Sequence, residues 1–303
     1  MRFVQIQTTS ACNARCKICP YKDNSWMIQN PGKMSDGLFE KILSELQEWE
    51  RDINTGKFCP YLMNEPFADP KILDKIELIR EMFPNALIEI STNAELMTPK
   101  KASRLYDILR GSRHDIWISR HGVLEETVGD IMKIDGKRSL DNILNLLKIS
   151  NGELNLRIKG FLYSIDNSIV LNKPRDFLRY WTNIFKSYNI NTKNLIVKAN
   201  SFHNRSGNLN IEGWNITKQV RRIGPENRFY CPRVDEWIHI LWNGDVILCC
   251  NDYHHETCFG NLQKQTIKEV LKSEEYKQIY DKVLGNVETE PDFICNRCTR
   301  IGG

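Results

Sequence analysis

Cys12, Cys16 and Cys19 stand at C-x3-C-x2-C spacing near the start of the 303-residue chain. Three thiolates so spaced can take three corners of one cubane iron–sulfur cluster. The fourth iron then stays open, as a catalytic metal site is left open and a structural one closed. A zinc site or a group of buried thiols competes with this reading. Zinc normally takes four closed ligands as two close pairs, and neither a histidine nor a fourth cysteine lies near this loop. A second group follows late in the chain: Cys231, Cys249, Cys295 and Cys298, the last two a C-x2-C pair. Cys231 and Cys249 bracket a predicted hairpin, Trp237–Leu241 and Val246–Leu248 about the turn Asn243-Gly244, a strong hairpin signal. A hairpin and a distant close pair can wrap four thiolates around one cluster, with a structural zinc ribbon as the competing reading.

The elements that must position these residues alternate. Short apolar strands are predicted at Phe3–Thr8, Phe58–Met63, Ala86–Thr92, Ile116–Ser119, Asn155–Tyr163 and Leu195–Ala199. Between them run 3.6-residue stripes: Leu38, Phe39, Ile42, Leu43, Leu46 and Trp49, begun by Ser35 or Asp36; then Ile72, Leu73, Ile76, Ile79 and Met82. Leu140, Ile143, Leu144 and Leu147 follow, and Phe177, Leu178, Trp181, Ile184 and Phe185 close the set. Repeated βα units predict an α/β fold around a parallel sheet, with chemistry at the C-terminal strand ends. The cysteine loop leaves the first strand, as that rule requires.

With Ile18 before its third cysteine, the opening motif resembles the C-x3-C-x-Φ-C signature of the radical S-adenosylmethionine (SAM) superfamily. The resemblance implies a partial (β/α)6 TIM-like barrel and a [4Fe-4S] cluster whose open iron chelates SAM. One electron then yields methionine and a 5′-deoxyadenosyl radical. Met63-Asn64-Glu65-Pro66 resembles the family's G-G-E-P motif, which places Asn64 and Glu65 at the SAM amino group. Ser91-Thr92-Asn93 resembles S-T-N-G, which places Ser91 and Asn93 at the ribose or carboxylate. Ile118-Ser119-Arg120-His121-Gly122 is like I-S-x-D-G, with Ser119 toward the SAM carboxylate. His121 is either a substrate contact or a surface-turn histidine. Arg157 and Lys159 share one face of the fifth strand and need anions, such as the SAM carboxylate or a substrate acid, unless that face is in water.

The late cysteines resemble the SPASM/twitch extension of the same superfamily, with Gly244 and Cys249 as its G-x4-C and Phe259-Gly260-Asn261-Leu262 as its G-N-[IL] segment. This implies one auxiliary [4Fe-4S] cluster held by Cys231, Cys249, Cys295 and Cys298, on a β-hairpin plus helix. The expected organisation is a barrel over 1–208, a linker over 209–228 and the auxiliary domain over 229–303. Cys59 reads as core and Cys258 stays unassigned. Cys250 follows a cluster ligand directly. A thiol S–H bond is weaker than most C–H bonds, so Cys250 could return a hydrogen atom to a carbon radical, as in radical SAM epimerases. Dehydrogenation or cross-linking, with the auxiliary cluster as electron acceptor, is the alternative. A non-catalytic iron–sulfur or zinc protein is the third reading.

Composition bounds the partners. A net charge of +4, from 42 basic against 38 acidic residues, with no basic run, gives no sign of nucleic acid. No stretch approaches the ~18 apolar residues of a membrane span, and Gln5 and Gln7 interrupt any signal-peptide core. A cytoplasmic, reduced protein is expected, its ten cysteines metal ligands or catalytic thiols. The Asn204 and Asn215 sequons are then chance matches. The resemblance implies a flavodoxin- or ferredoxin-type electron donor. With no recognition domain before the first strand, a compact sugar or aminocyclitol fits at least as well as a leader-bearing peptide.

Overall fold

The computed structural model describes residues 1–22, 25–161, 174–200 and 231–298; the expected linker at 209–228 lies outside them. Among the described residues there are nine strands: β1 (Phe3–Ile6), β2 (Lys57–Cys59), β3 (Leu87–Thr92), β4 (His114–Ser119), β5 (Leu156–Phe161), β6 (Leu195–Asn200), β7 (Trp237–Ile240), β8 (Asp245–Ile247) and β9 (Gly260–Asn261). The chain divides into two compact units. One comprises Met1–Ala11, Cys19–Asn64 and His203–Gly303, the other Cys12–Ile18 and Glu65–Phe202.

In the first unit β1 lies between β2 and β7 and runs parallel to both, with Val4 opposite Phe58 and Ile238. The predicted hairpin forms, β7 and β8 pairing antiparallel through His239–Ile247 and Ile240–Val246. Gly244 makes its turn at φ +87°, where a side chain would be strained. Hydrophobic alternation could not show that the first hairpin strand would also extend the N-terminal parallel sheet. Val4, Ile6, Phe58, Ile238 and Ile240 share one buried face. Helix Asp36–Leu46 adds buried Phe39, Ile42, Leu43 and Leu46, and is capped by Ser35, whose Oγ accepts the Leu38 N–H at 3.2 Å. Burying each such side chain stabilises by roughly 1.5–3 kcal/mol.

In the second unit β3, β4, β5 and β6 are parallel neighbours in that order. Ile88, Ile90, Ile116, Ile118, Leu156 and Ile158 fill one face of β3–β5 and are buried. Helices Ile72–Met82, Gly136–Ser150 and Pro174–Ser187 stand where their stripes predict. Two more helices, Pro99–Leu109 and Glu125–Met132, are not among the predicted stripes. The former buries only Ala102, Leu105 and Leu109 amid basic residues, and the latter is a mere eight residues long. The expected α/β class is observed. No helix among the described residues is long and apolar enough to cross a membrane.

Candidate functional site

The segment entering the cysteine loop is pinned within the first unit. Ser10 N–H donates to Gly32 O at 2.9 Å, Gly32 N–H donates to Ser10 Oγ at 2.8 Å, and Tyr21 Oη donates to Ser10 O at 2.8 Å. A Cβ on Gly32 would sit 2.2 Å from the Trp242 ring, so the close approach demands glycine. Residues 12–18 are then held within the second unit. Arg15 and Lys17 N–H donate to the carbonyls of Met132 and Ile131 at 3.0 and 2.8 Å. Asn13 donates to Glu95 and accepts from Asn93 Nδ2 at 2.9 Å. Ile18 is buried. Cys12, Cys16 and Cys19 are half-buried and outside any disulfide. Cys16 Sγ lies 3.9 Å from Met132 O and Cys19 Sγ 3.8 Å from Tyr253 Oη, both weak contacts that a metal bond would outweigh.

Glu65 sits at the head of a 3-10 turn, Pro66–Ala68, and is buried. Its Oε1 accepts from Thr92 Oγ1 at 2.6 Å and from Phe67 N–H at 3.2 Å; its Oε2 accepts from Asn93 N–H at 2.8 Å. Burial pushes the carboxyl up to about 7, and these donors only partly offset it. The Lys101 charge is the smallest of the influences that lower it, and an ammonium close by would favour the ionised form further. Asn64 Oδ1 accepts the Leu62 N–H at 3.0 Å within the first unit.

The other face of β3–β5 is polar. Register places Trp117 between Ser91 and Arg157, and Ser119 beside Lys159. Lys159 Nζ donates to Ser91 Oγ at 3.4 Å and lies 4.9 Å from the Trp117 ring centroid. Arg157 covers the same ring at 5.2 Å, and its Nε contacts both Asp115 carboxylate oxygens at 2.7 Å. Arg157 therefore already has an anion within the chain. Its partner is 42 residues away, and strand register, invisible in one sequence, pairs them. His121 is buried rather than in a surface turn, its N–H 3.3 Å from Met132 Sδ.

The first unit gathers the late cysteines. Cys231 precedes the short helix Pro232–Asp235, Cys249 and Cys250 follow β8, and a turn with Cys298 N–H on Cys295 O at 3.3 Å brings the last pair together. Burial holds the Cys249 thiol well above its usual range, and Cys250 and Cys295 push it further. Burial pulls the Arg233 guanidinium down, but Cys250, Cys249, Cys231 and Cys59 outweigh it and leave it above its ordinary value. Arg233 Nη1 also donates to His239 Nε2 at 3.0 Å. His239, Gln5 and Cys59 share one face of β2-β1-β7 by register. Gln5 and Gln7 are buried there, and Gln5 Oε1 and both amide atoms of Gln7 lack hydrogen-bond partners among the described residues. Buried amides in that state call for a ligand or water.

Residues 231–299 match the family model of SPASM, an iron–sulfur cluster-binding domain. No curated protein matches the sequence. Among solved structures, BtrN in complex with AdoMet and 2-DOIA is similar at TM-score 0.60 and 13% identity, over 99% of this chain and 94% of that one. Streptococcus suis SuiB bound to precursor peptide SuiA is similar at TM-score 0.60 and 12% identity, over 92% of this chain and 66% of that one. anSMEcpe with bound AdoMet and Cp18Cys peptide is similar at TM-score 0.53 and 16% identity, over 91% and 81%. At these identities the likeness shows the fold, which this chain shares with BtrN, SuiB and anSMEcpe. The SPASM span begins at Cys231 and contains Cys249, Cys295 and Cys298, a soft all-thiol donor set that fits iron–sulfur ligation.

Proposed function

We propose that this protein is a radical SAM enzyme that epimerises a C–H centre of a compact, polar natural product. Cys12, Cys16 and Cys19 would hold the [4Fe-4S] cluster that binds SAM, and Cys231, Cys249, Cys295 and Cys298 the auxiliary one. With SAM bound, the first cluster would supply the one-electron chemistry that removes a substrate hydrogen atom by way of a 5′-deoxyadenosyl radical. Glu65, a buried carboxyl held up to about 7 by its burial, is suited to the SAM ammonium, with Asn64 and Asn93 beside it in sequence and bonding. Ser91, Ser119 and Lys159 offer donors to carboxylate or ribose oxygens, and Ile18 shapes the loop. Arg157, already paired with Asp115, would act through the Trp117 platform.

The observation that carries epimerisation is the placement of Cys250, a half-buried thiol beside Arg233 and next to a cluster ligand. Its hydrogen atom goes to the face of the substrate radical opposite the one attacked. The thiyl left behind takes one electron and one proton, the electron coming from a flavodoxin- or ferredoxin-type donor. The buried amides of Gln5 and Gln7 suit a ligand rich in hydroxyl and amino groups.

A second reading is favoured by Arg233 itself. A cation among cluster thiolates favours the reduced cluster and raises its potential, which suits dehydrogenation or cross-linking with the auxiliary cluster as acceptor. Anaerobically reconstituted protein with SAM and dithionite tests both, using 2-DOIA and other aminocyclitols in deuterium oxide. Epimerisation places solvent deuterium at the inverted carbon, and Cys250→Ala keeps 5′-deoxyadenosine release but loses product. Intact product from Cys250→Ala overturns the donor role. No 5′-deoxyadenosine from the wild type overturns the enzyme reading.

A further inference from the structure

One cluster of metal-ligating side chains stands outside all of these roles. Asp245 opens β8, His255 lies in the loop after it, and Cys258 precedes β9. His255 Nε2 is 2.9 Å from Asp245 Oδ2, and the ring also hydrogen-bonds Cys258. One donor atom from each lies within 4.8 Å of the other two, and all three residues are half-buried. We propose that Asp245, His255 and Cys258 form a binding site for a zinc-class divalent cation, separate from the cluster cysteines.

The donor set chooses the metal class. Calcium and magnesium take oxygen ligands, whereas one sulfur, one imidazole nitrogen and one carboxylate oxygen suit zinc. Tetrahedral zinc with these bond lengths sets its ligand atoms about 3.3–3.6 Å apart. The 2.9 Å Asp245–His255 spacing would open slightly to admit it. The fourth position is left for water.

The surroundings hold the three residues in place. Asp245 accepts from Asn261 Nδ2 at 2.7 Å and from Asn243 Nδ2 at 2.6 Å, the kind of outer support that orients a ligating carboxylate. The Trp26 indole stacks on the His255 ring, with centroids 4.5 Å apart and planes at 16°. His255 itself takes left-handed backbone at φ 58°. Buried Asp252 braces the loop, accepting from Glu256 N–H at 2.7 Å, Thr257 N–H at 2.9 Å and Thr257 Oγ1 at 2.6 Å. Thr257 Oγ1 in turn accepts from Leu248 N–H at 3.1 Å. A preformed three-ligand set loses little freedom on binding metal.

The test is metal analysis of the reconstituted holoenzyme, in which iron already occupies the cluster cysteines. After exposure to excess zinc chloride and desalting, the wild type should retain about one zinc per chain beside its iron. X-ray absorption at the zinc edge should show one sulfur among nitrogen and oxygen neighbours. Cys258→Ser and Asp245→Asn should each lose most of the zinc while iron content and 5′-deoxyadenosine release stay at wild-type levels. If Cys258→Ser loses iron as well, Asp245→Asn, which keeps every thiol, gives the deciding zinc value. Wild type that holds no zinc, or variants that hold as much as wild type, overturn the proposal.

Discussion

The Glu65 carboxylate accepts the backbone N–H of Asn93 at 2.8 Å, so one buried side chain ties the end of β3 to the turn that Glu65 opens. Burial lifts this carboxyl from 4.5 to about 7, above its unfolded value. Folding then favours the protonated form. The contribution of Glu65 is most favourable below pH ~4.5, falls as pH rises to about 7, and is flat above. Urea midpoints of protein without SAM, measured at pH 5.5 and pH 8, should show this decline. Glu65→Gln should remove that part of the slope, and an unchanged slope would place the titration elsewhere.

The same substitution should also cost stability at pH 8. Three donors converge on the two Glu65 oxygens: Thr92 Oγ1 and Phe67 N–H on one, Asn93 N–H on the other. A glutamine must turn its NH2 toward one of those donors. Leaving a buried donor unmatched costs about 1–3 kcal/mol, readable as a lower urea midpoint with unchanged slope m. Asn93→Ala, which keeps the backbone N–H, should leave this contact intact.

Lys75 and Asp69 form an ion pair at 2.6 Å with both side chains buried, and Asp69 also accepts the Lys71 N–H at 3.0 Å. The pair anchors the turn that follows Glu65. Lys75→Met strands a buried carboxylate and should destabilise by about 3–5 kcal/mol. Adding Asp69→Leu should restore much of the loss, a recovery that a double-mutant cycle measures.

These residues mark what one sequence can and cannot disclose. The cysteine spacings, the strand-end motifs and the Asn243-Gly244 hairpin were legible because their geometry is local. Nothing in the spacing of Asp69 and Lys75 announces that the two are buried together as an ion pair. Asp115 as the counter-ion of Arg157, Trp117 as a platform beneath two cations, and Thr92 on Glu65 all depend on strand register. The pairing of β7 with β1 joins residues more than two hundred positions apart, and no period or motif announces it. Gln5 and Gln7 served only to rule out a signal peptide; burial turns them into candidate ligand contacts.

Gly136 offers a test that links packing to cofactor content. It begins helix Gly136–Ser150, and a Cβ there would lie 2.2 Å from the carbonyl oxygen of Glu125, a backbone atom that has no rotamer to yield. Gly136→Ala must therefore displace helix Glu125–Met132. The end of that helix carries the Ile131 and Met132 carbonyls that receive Lys17 and Arg15 of the cysteine loop. Overpacking of this kind costs about 1–3 kcal/mol, and here it reaches the ligand loop directly. The expected outcome after reconstitution is a fall from about eight irons per chain toward about four, with loss of 5′-deoxyadenosine release, since only the SPASM cysteines keep their support. Gly37→Ala is the control, because a Cβ at Gly37 meets nothing within 4 Å. Equal iron in the two variants would mean that the helix end does not support the cysteine loop.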